Sequence, residues 1–201
     1  FTEPTLQNEG KTTILYSPTF SRGITSVEAL YDTIHQIAER RDWEWIITFH
    51  PKITDHSIIN KYQKLAEKFD NVSFERNEGL KTFQRADVML CDSSSIILEF
   101  MLLSKPVVTF KNTNPGSHLI DVNECDAVEP ALETALTRPK SLMEAIDTYT
   151  LNHEAHRDGN NCSRVLDAVD HFKSNFEGRI KAKPLNLWRK FRLRNKLKYW
   201  K

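Results

Sequence analysis

The chain has 201 residues, of which 39% are hydrophobic and 27% are charged, and its formal net charge is +1. These values fit a soluble globular protein with room for one α/β domain, with or without appendages. The three cysteines are widely spaced and form no CxxC pair, which argues against a disulfide framework or a zinc ribbon and favours a reducing compartment. No apolar run is long enough to span a bilayer, and the chain does not start like a signal peptide. Because the first residue is Phe1, we expect a fragment of a longer protein.

Positive charge is concentrated at the C-terminus. Residues 179–201 contain ten Lys or Arg and no Asp or Glu, whereas acidic residues outnumber basic ones in the rest of the chain. We therefore predict a linker over 1–11, a globular domain over 12–175 and a basic, aromatic tail over 176–201. The tail favours attachment to an anionic membrane surface. It could also be disordered, or form a helix that returns to a partner domain; no fold motif supports nucleic-acid binding.

Strand and helix patterns alternate along the first 110 residues. Short apolar runs predict strands, and apolar residues at helical spacing predict helices. A polar loop follows over 111–123, and the remaining patterns are helical. The predicted strands are 12–16, 43–49, 71–74, 88–91 and 107–110; the predicted helices begin at Thr25 or Ser26 and then cover 58–68, 80–85, 96–103, 131–136, 142–151 and 163–172.

This alternation predicts a doubly wound, mostly parallel α/β sheet. Right-handed crossovers give the strand order 3-2-1-4-5, with a switch point between the first and fourth strands. Ligands of open α/β sheets bind at the carboxyl ends of the strands. The loops that follow the first, second and fourth strands should therefore meet at one crevice.

The loop after the fourth strand contains Asp92, Ser93, Ser94 and Ser95 between a buried strand and an apolar helix. Hydroxyl side chains at a helix start accept hydrogen bonds from its first amides, and such a turn suits a phosphate. The alternative is that the serines only cap a core helix.

The loops after the first and second strands supply further candidates. Thr19 and Arg22 follow the first strand, and His50 and Lys52 follow the second. His50 is the candidate catalytic residue, which could donate a hydrogen bond to a phosphate oxygen, although a single histidine is more often structural than catalytic. Arg22 and Lys52 could neutralise phosphate or be solvated charges, and Thr19 could line the crevice or cap the turn. Glu99 lies one helical turn after Ser95 on the same helix face and could reach a ligand hydroxyl; its alternative is a buried, paired carboxylate.

Four local motifs resemble the CDP-glycerol glycerophosphotransferase family, the teichoic-acid and capsule polymerases of GT-B architecture. Their order also matches, and together they span about residues 12–170. The motifs are LYSPTF at 15–20, HP at 50–51, CDSSSIILEF at 91–100 followed by KPV at 105–107, and DG at 158–159 followed by SRV at 163–165. This chain departs from the family pattern at Ser93, where Tyr is usual, and at Glu99, where Asp is usual.

The resemblance implies a Rossmann-like, C-terminal donor-binding half of a two-domain GT-B enzyme. It implies a CDP-glycerol or CDP-ribitol donor, a lipid-linked polymer acceptor and transfer without metal or other cofactor. It also implies a missing N-terminal domain, an inactive fragment and a cytoplasmic enzyme on the inner face of the membrane. Asp158 and Asn160 would close over the donor; alternatively, Gly159 permits a left-handed turn and Asn160 caps the last helix. The chain could also be a nucleotide-sugar glycosyltransferase, a UDP-sugar epimerase relative or a non-catalytic membrane module.

Overall fold

The computed structural model describes residues 10–75, 79–154, 156–179, 181 and 183–200. Most of the predicted linker over 1–11 therefore lies outside the described residues. Contacts divide the chain into two compact units, Phe1–Ala155 and His156–Lys201, and each is considered by itself.

The first unit contains one parallel β-sheet. Among the described residues its strands are β1 (Thr13–Tyr16), β2 (Glu44–Thr48), β3 (Val72–Glu75), β4 (Val88–Cys91), β5 (Val107–Phe110) and β6 (Ile120–Val122). Their order is β3-β2-β1-β4-β5-β6, and each neighbouring pair is parallel. The predicted order of the first five strands is confirmed. The loop prediction for 111–123 is wrong at β6, because three residues within a polar segment are too few to show periodicity.

Helices cover both faces of this sheet. They are α1 (Tyr31–Arg40), α2 (His56–Lys68), α3 (Leu80–Arg85), α4 (Ile96–Met101), α5 (Val128–Leu136) and α6 (Lys140–His153). The predicted start of α1 at Thr25 or Ser26 is wrong. Ser26 donates its amide and its hydroxyl to Asp92 and accepts from the Leu30 amide at 2.9 Å, residues 27–30 form a turn, and the helix begins at Tyr31.

The alternation of side chains along the strands creates two apolar layers. Ile14 and Tyr16 of β1 pack in the layer that contains buried residues of α1, α2 and α5. Leu15 faces the other way, into the layer formed with α3, α4 and α6. The central strands are thus buried on both faces of the sheet, as expected for parallel strands.

Lys105 anchors the chain between α4 and β5. Its side chain is 8% exposed, and its ammonium donates to the carbonyls of Phe83, Gln84 and Ala86 at 2.9, 2.8 and 2.5 Å. These carbonyls lie at the end of α3, where the helix dipole favours a cation. Burial lowers the pKa of Lys105 to about 8.

The second unit contains α7 (Asn161–Phe176) and α8 (Leu187–Leu197). The apolar side chains that the sequence places on one face of α7 are exposed, with Val165 at 63% and Leu166 at 64%. α8 lies in the basic tail and carries the exposed rings of Trp188 and Phe191, which stack at 5.8 Å. Within the described part of the chain, no helix is both long and apolar enough to cross a membrane.

Candidate functional site

The candidate site lies at the carboxyl ends of β1, β2 and β4. β1 is the central strand of the three, with β2 on one side and β4 on the other. The loop after β1 therefore runs between the loop that carries His50 and the turn that carries the serines. The three polar loops predicted to meet at this edge of the sheet do lie side by side.

Asp92 ties the loop after β1 to the end of β4. The residue is fully buried, and its carboxylate accepts from the amides of Thr19 and Ser26 at 2.8 and 2.9 Å and from the Ser26 hydroxyl at 2.9 Å. Burial raises the pKa of the Asp92 carboxyl by more than these hydrogen bonds lower it. Both carboxylate oxygens are occupied within the protein, so in this structure Asp92 positions the loop.

Two further bonds hold the same loop against β4. The Ser17 amide donates to the Leu90 carbonyl at 3.1 Å, and the thiol of Cys91 donates to the Ser17 carbonyl at 3.0 Å. Burial raises the pKa of the Cys91 thiol, so the group remains a neutral donor. Thr19 is buried as a result, at 6% exposure.

The serine turn differs from its predicted geometry. Ser95 is the residue before α4, but its side chain makes no capping hydrogen bond, and α4 ends at Met101 rather than at residue 103. Ser93 accepts instead from the Thr113 amide at 2.8 Å. The prediction that serine oxygens cap this helix is therefore wrong for Ser95. Ser94 is half-buried and Ser95 is exposed, so both hydroxyls border solvent at the sheet edge.

Glu99 lies one turn beyond Ser95 and is exposed. The interpretation of Glu99 as a buried, paired carboxylate is therefore wrong. Its role toward a ligand hydroxyl stays a prediction.

His50 and Lys52 form a compact group with Phe20. The amide of Lys52 donates to His50 Nδ1 at 3.0 Å. The rings of His50 and Phe20 have centroids 4.5 Å apart, and the Lys52 ammonium lies 4.7 Å from the Phe20 centroid. Phe20 follows Thr19 directly in the chain. The loop after β1 therefore contacts Asp92 through Thr19 and His50 through Phe20. Arg22 is exposed in the same loop, and no ion pair joins it to any of the described residues.

Asp158 and Asn160 belong to the second unit. Asp158 forms a bidentate ion pair with Arg164, at 2.7 and 2.5 Å, and accepts from the Asn160 amide at 3.1 Å. The ion pair holds the pKa of Asp158 well below its usual range. Gly159 adopts a φ of +76°, which agrees with the left-handed turn considered for this position, whereas Asn160 makes no side-chain cap on α7. Binding of a donor by these residues stays a prediction.

The loop after β5 contributes residues that the sequence patterns did not reveal. Asn112 donates its side-chain amide to the Asp92 carbonyl at 2.8 Å, and its backbone amide donates to Asp121 at 3.0 Å. Asp121 also accepts from the Thr109 hydroxyl at 2.7 Å. This loop therefore forms the wall of the serine turn opposite the loop after β1. The sequence signal was the group of polar residues Asn112, Thr113 and Asn114 between β5 and β6.

A cavity of about 720 Å³ lies elsewhere, between α1 and α5. Ion pairs in its walls join Arg40 and Arg41 to Glu129, and Arg41 also to Glu133. None of the predicted site residues lines it. Among the described residues, no group of three His, Cys, Asp or Glu side chains is placed to hold a metal ion.

Solved structures share this fold. The chain aligns with MnaA of S. aureus, solved with UDP, at a TM-score of 0.57 and 19% identity over 87% of this chain and 48% of that protein. It aligns with a putative UDP-N-acetylglucosamine 2-epimerase from Listeria monocytogenes at a TM-score of 0.55 and 18% identity, over 89% and 49% of the two chains. A glycosyltransferase from Rickettsia africae gives a TM-score of 0.55 and 14% identity, over 72% and 44%.

The chain spans less than half the length of each of these proteins. A comparison with curated proteins found no match. The six-stranded parallel sheet and these structural relatives define a Rossmann-like α/β domain of the kind found in GT-B glycosyltransferases and epimerases. The model of the CDP-glycerol:poly(glycerophosphate) glycerophosphotransferase family matches residues 5–171. The chain belongs to this family.

Proposed function

We propose that this chain is the donor-binding part of an enzyme that transfers glycerol phosphate, or ribitol phosphate, from a CDP-alcohol to a growing cell-surface polymer. The single observation that carries the proposal is the position of the loop after β1. Through Thr19 it contacts Asp92 beside the serine turn, and through Phe20 it contacts His50. Hydroxyl, imidazole and ammonium groups thereby surround one stretch of the sheet edge, where ligands of open α/β sheets bind.

Each group has an assigned role in this proposal. The hydroxyls of Ser94 and Ser95 donate to the diphosphate, and the charges of Lys52 and Arg22 offset its negative charge. His50 donates to a phosphate oxygen of the leaving CMP, and Glu99 accepts from a hydroxyl of the ribose or the glycerol. Asp92 and Ser93 position the serine turn. Because α4 is only six residues long, the proposal depends on these side chains and not on a helix dipole.

The proposed reaction is a substitution at the β-phosphorus of the donor. The acceptor hydroxyl oxygen forms a bond to this phosphorus while the bond to the bridging oxygen breaks. The bridging oxygen keeps the electron pair and leaves as part of CMP. The acceptor proton passes to a base that we assign to an N-terminal domain of the full-length enzyme. Positioning and charge stabilisation supply most of the acceleration of such a transfer.

The domain limits of the sequence analysis, 12–175 for the donor domain and 176–201 for the tail, are part of the proposal. The chain spans less than half of its structural relatives. We therefore propose that an N-terminal GT-B domain completes the cleft and that the isolated chain binds donor without turning it over.

We further propose that residues 179–201 bind the anionic inner face of the cell membrane, where a lipid-linked acceptor would be extended. The support is the charge and the exposure of this segment. It carries ten basic residues, no acidic residue and exposed Trp188 and Trp200. Each basic residue near such a surface adds about 1 kcal/mol of attraction. Co-sedimentation with vesicles that contain an anionic lipid should be lost when 179–201 is deleted, and binding that survives the deletion would reject this role.

Calorimetry with CDP-glycerol, CDP and UDP tests the donor assignment. We expect CDP-glycerol and CDP to bind more tightly than UDP, and Ser94→Ala to weaken their binding. The second candidate function is that of a nucleotide-sugar transferase or epimerase relative, which the fold of the solved structures favours. A preference for UDP would support that candidate and would contradict the first.

A further inference from the structure

The contact between Phe20 and the end of β2 is not explained by packing in the core. Phe20 is 40% exposed, and its neighbours in the contact are the imidazole of His50 and the ammonium of Lys52, both on exposed residues. We call Phe20, His50 and Lys52 the edge cluster. A large exposed ring between two polar groups buries little apolar area, so its main effect is on the orientation of those groups.

The hydrogen bond within the edge cluster defines the chemistry of His50. Its Nδ1 accepts from the backbone amide of Lys52 at 3.0 Å. A neutral imidazole that accepts at Nδ1 carries its proton at Nε2. His50 therefore presents an N–H donor at Nε2, which is the form that binds a phosphate oxygen.

Phe20 restricts the movement of both neighbours. Its ring lies against the imidazole, with centroids 4.5 Å apart and planes inclined by 35°, so rotation of the imidazole about its side-chain bonds is obstructed. The Lys52 ammonium lies 4.7 Å from the centroid of the same ring, within the range of cation–π attraction. One side chain thus contacts both the imidazole of His50 and the ammonium of Lys52.

We propose that Phe20 is a positioning residue of the donor site, which keeps His50 as an Nε2–H donor and Lys52 beside it for recognition of a nucleotide diphosphate. This inference rests on the proposed function for its ligand. The geometry of the cluster itself does not depend on the ligand, so the two can be tested separately.

The experiment compares Phe20→Leu, which removes the ring, with Phe20→Tyr, which retains it. Ile24→Ala is the matched control, since Ile24 lies in the same loop and is similarly exposed, at 38%. The first measurement is hydrogen exchange of the Lys52 amide, which reports its bond to His50. The second is calorimetry with CDP on the same variants.

We expect Phe20→Leu to raise the exchange rate of the Lys52 amide by about fivefold and to weaken CDP binding by a similar factor, as loss of one hydrogen bond would. Phe20→Tyr and Ile24→Ala should leave both quantities near wild type. Unchanged exchange in Phe20→Leu would overturn the positioning role, whatever the protein binds. Faster exchange with unchanged CDP affinity would overturn the link between the edge cluster and the donor. Failure of the wild-type chain to bind CDP would instead refute the proposed function, while the exchange measurement would still decide the role of Phe20.

Discussion

Replacement of Asp92 by Asn should destabilise the protein through a single unpaired amide. One carboxylate oxygen of Asp92 accepts from Thr19 and the other accepts twice from Ser26. An asparagine side chain has one acceptor atom, its carbonyl oxygen. If this oxygen accepts from one of the two backbone amides, of Thr19 or Ser26, the NH₂ group faces the other amide and cannot accept from it. The NH₂ can still donate to the Ser26 hydroxyl, so one buried backbone N–H loses its partner. Such a loss costs about 1–3 kcal/mol.

Urea-induced unfolding of Asp92→Asn and of Asp121→Asn measures this effect against a matched control. Both bonds that Asp121 accepts go to the same oxygen, from the Thr109 hydroxyl and from the Asn112 amide. Asparagine can retain that oxygen, so the control should lose less than about 1 kcal/mol. Equal stability of Asp92→Asn and wild type, or equal losses in the two variants, would refute the reasoning.

The pH dependence of the same comparison has a defined sign. Burial raises the pKa of Asp92 above its ordinary value of 3.8. Between these two pKa values the folded state binds more protons than the unfolded state. The free energy of unfolding therefore gains a contribution that is complete below pH 3.8 and is lost as the pH rises through the folded-state pKa. The stability of wild type relative to Asp92→Asn should accordingly increase on acidification, and a decrease would contradict the raised pKa.

Three further predictions concern separate parts of the chain. Lys105→Met should lower the free energy of unfolding by about 1–3 kcal/mol, because three carbonyls lose a charged donor; an unchanged urea midpoint would argue against the anchor. Ser95→Ala should change stability by less than about 0.5 kcal/mol, since the side chain makes no capping bond, but should weaken CDP binding; a stability loss without a change in affinity would reverse its assigned role. Asp158→Asn should reduce the loss of stability in acid. Arg164 depresses the pKa of Asp158, and such a group contributes stability that is present above pH 3.8 and lost as the pH falls. The same acid dependence of the free energy of unfolding in the variant and in wild type would contradict this.

The sheet could be predicted because its signals are local. Short apolar runs defined β1 to β5, and the handedness rule for crossovers then gave their order. β6 was missed because its three residues, Ile120–Val122, are too few to establish an alternation within the polar segment between Lys111 and Asn123. The start of α1 was predicted wrongly for a different reason. Ser26 has a good local pattern for a helix start, but residues 27–30 form a turn before Tyr31, and no local pattern separates such a turn from the first turn of the helix.

In the candidate site, too, some features could be predicted from the sequence and others could not. Its location follows from topology, since the loops after β1, β2 and β4 must share an edge. The roles of individual residues depend on contacts between distant positions. No local pattern distinguishes Asp92, which is buried, from Ser95, which is exposed and belongs to the same turn. The contact of Phe20 with His50 likewise joins two loops that are 30 residues apart in the chain.

The most direct test of the donor site is a titration of the ¹⁵N-labelled chain with CDP, followed by the backbone amide shifts of each residue. We predict that the largest shift changes occur at Ser94, Ser95 and His50, and in the loop that carries Thr19. Changes concentrated instead at the cavity between α1 and α5, with the sheet edge unaffected, would contradict a donor site at the ends of β1, β2 and β4.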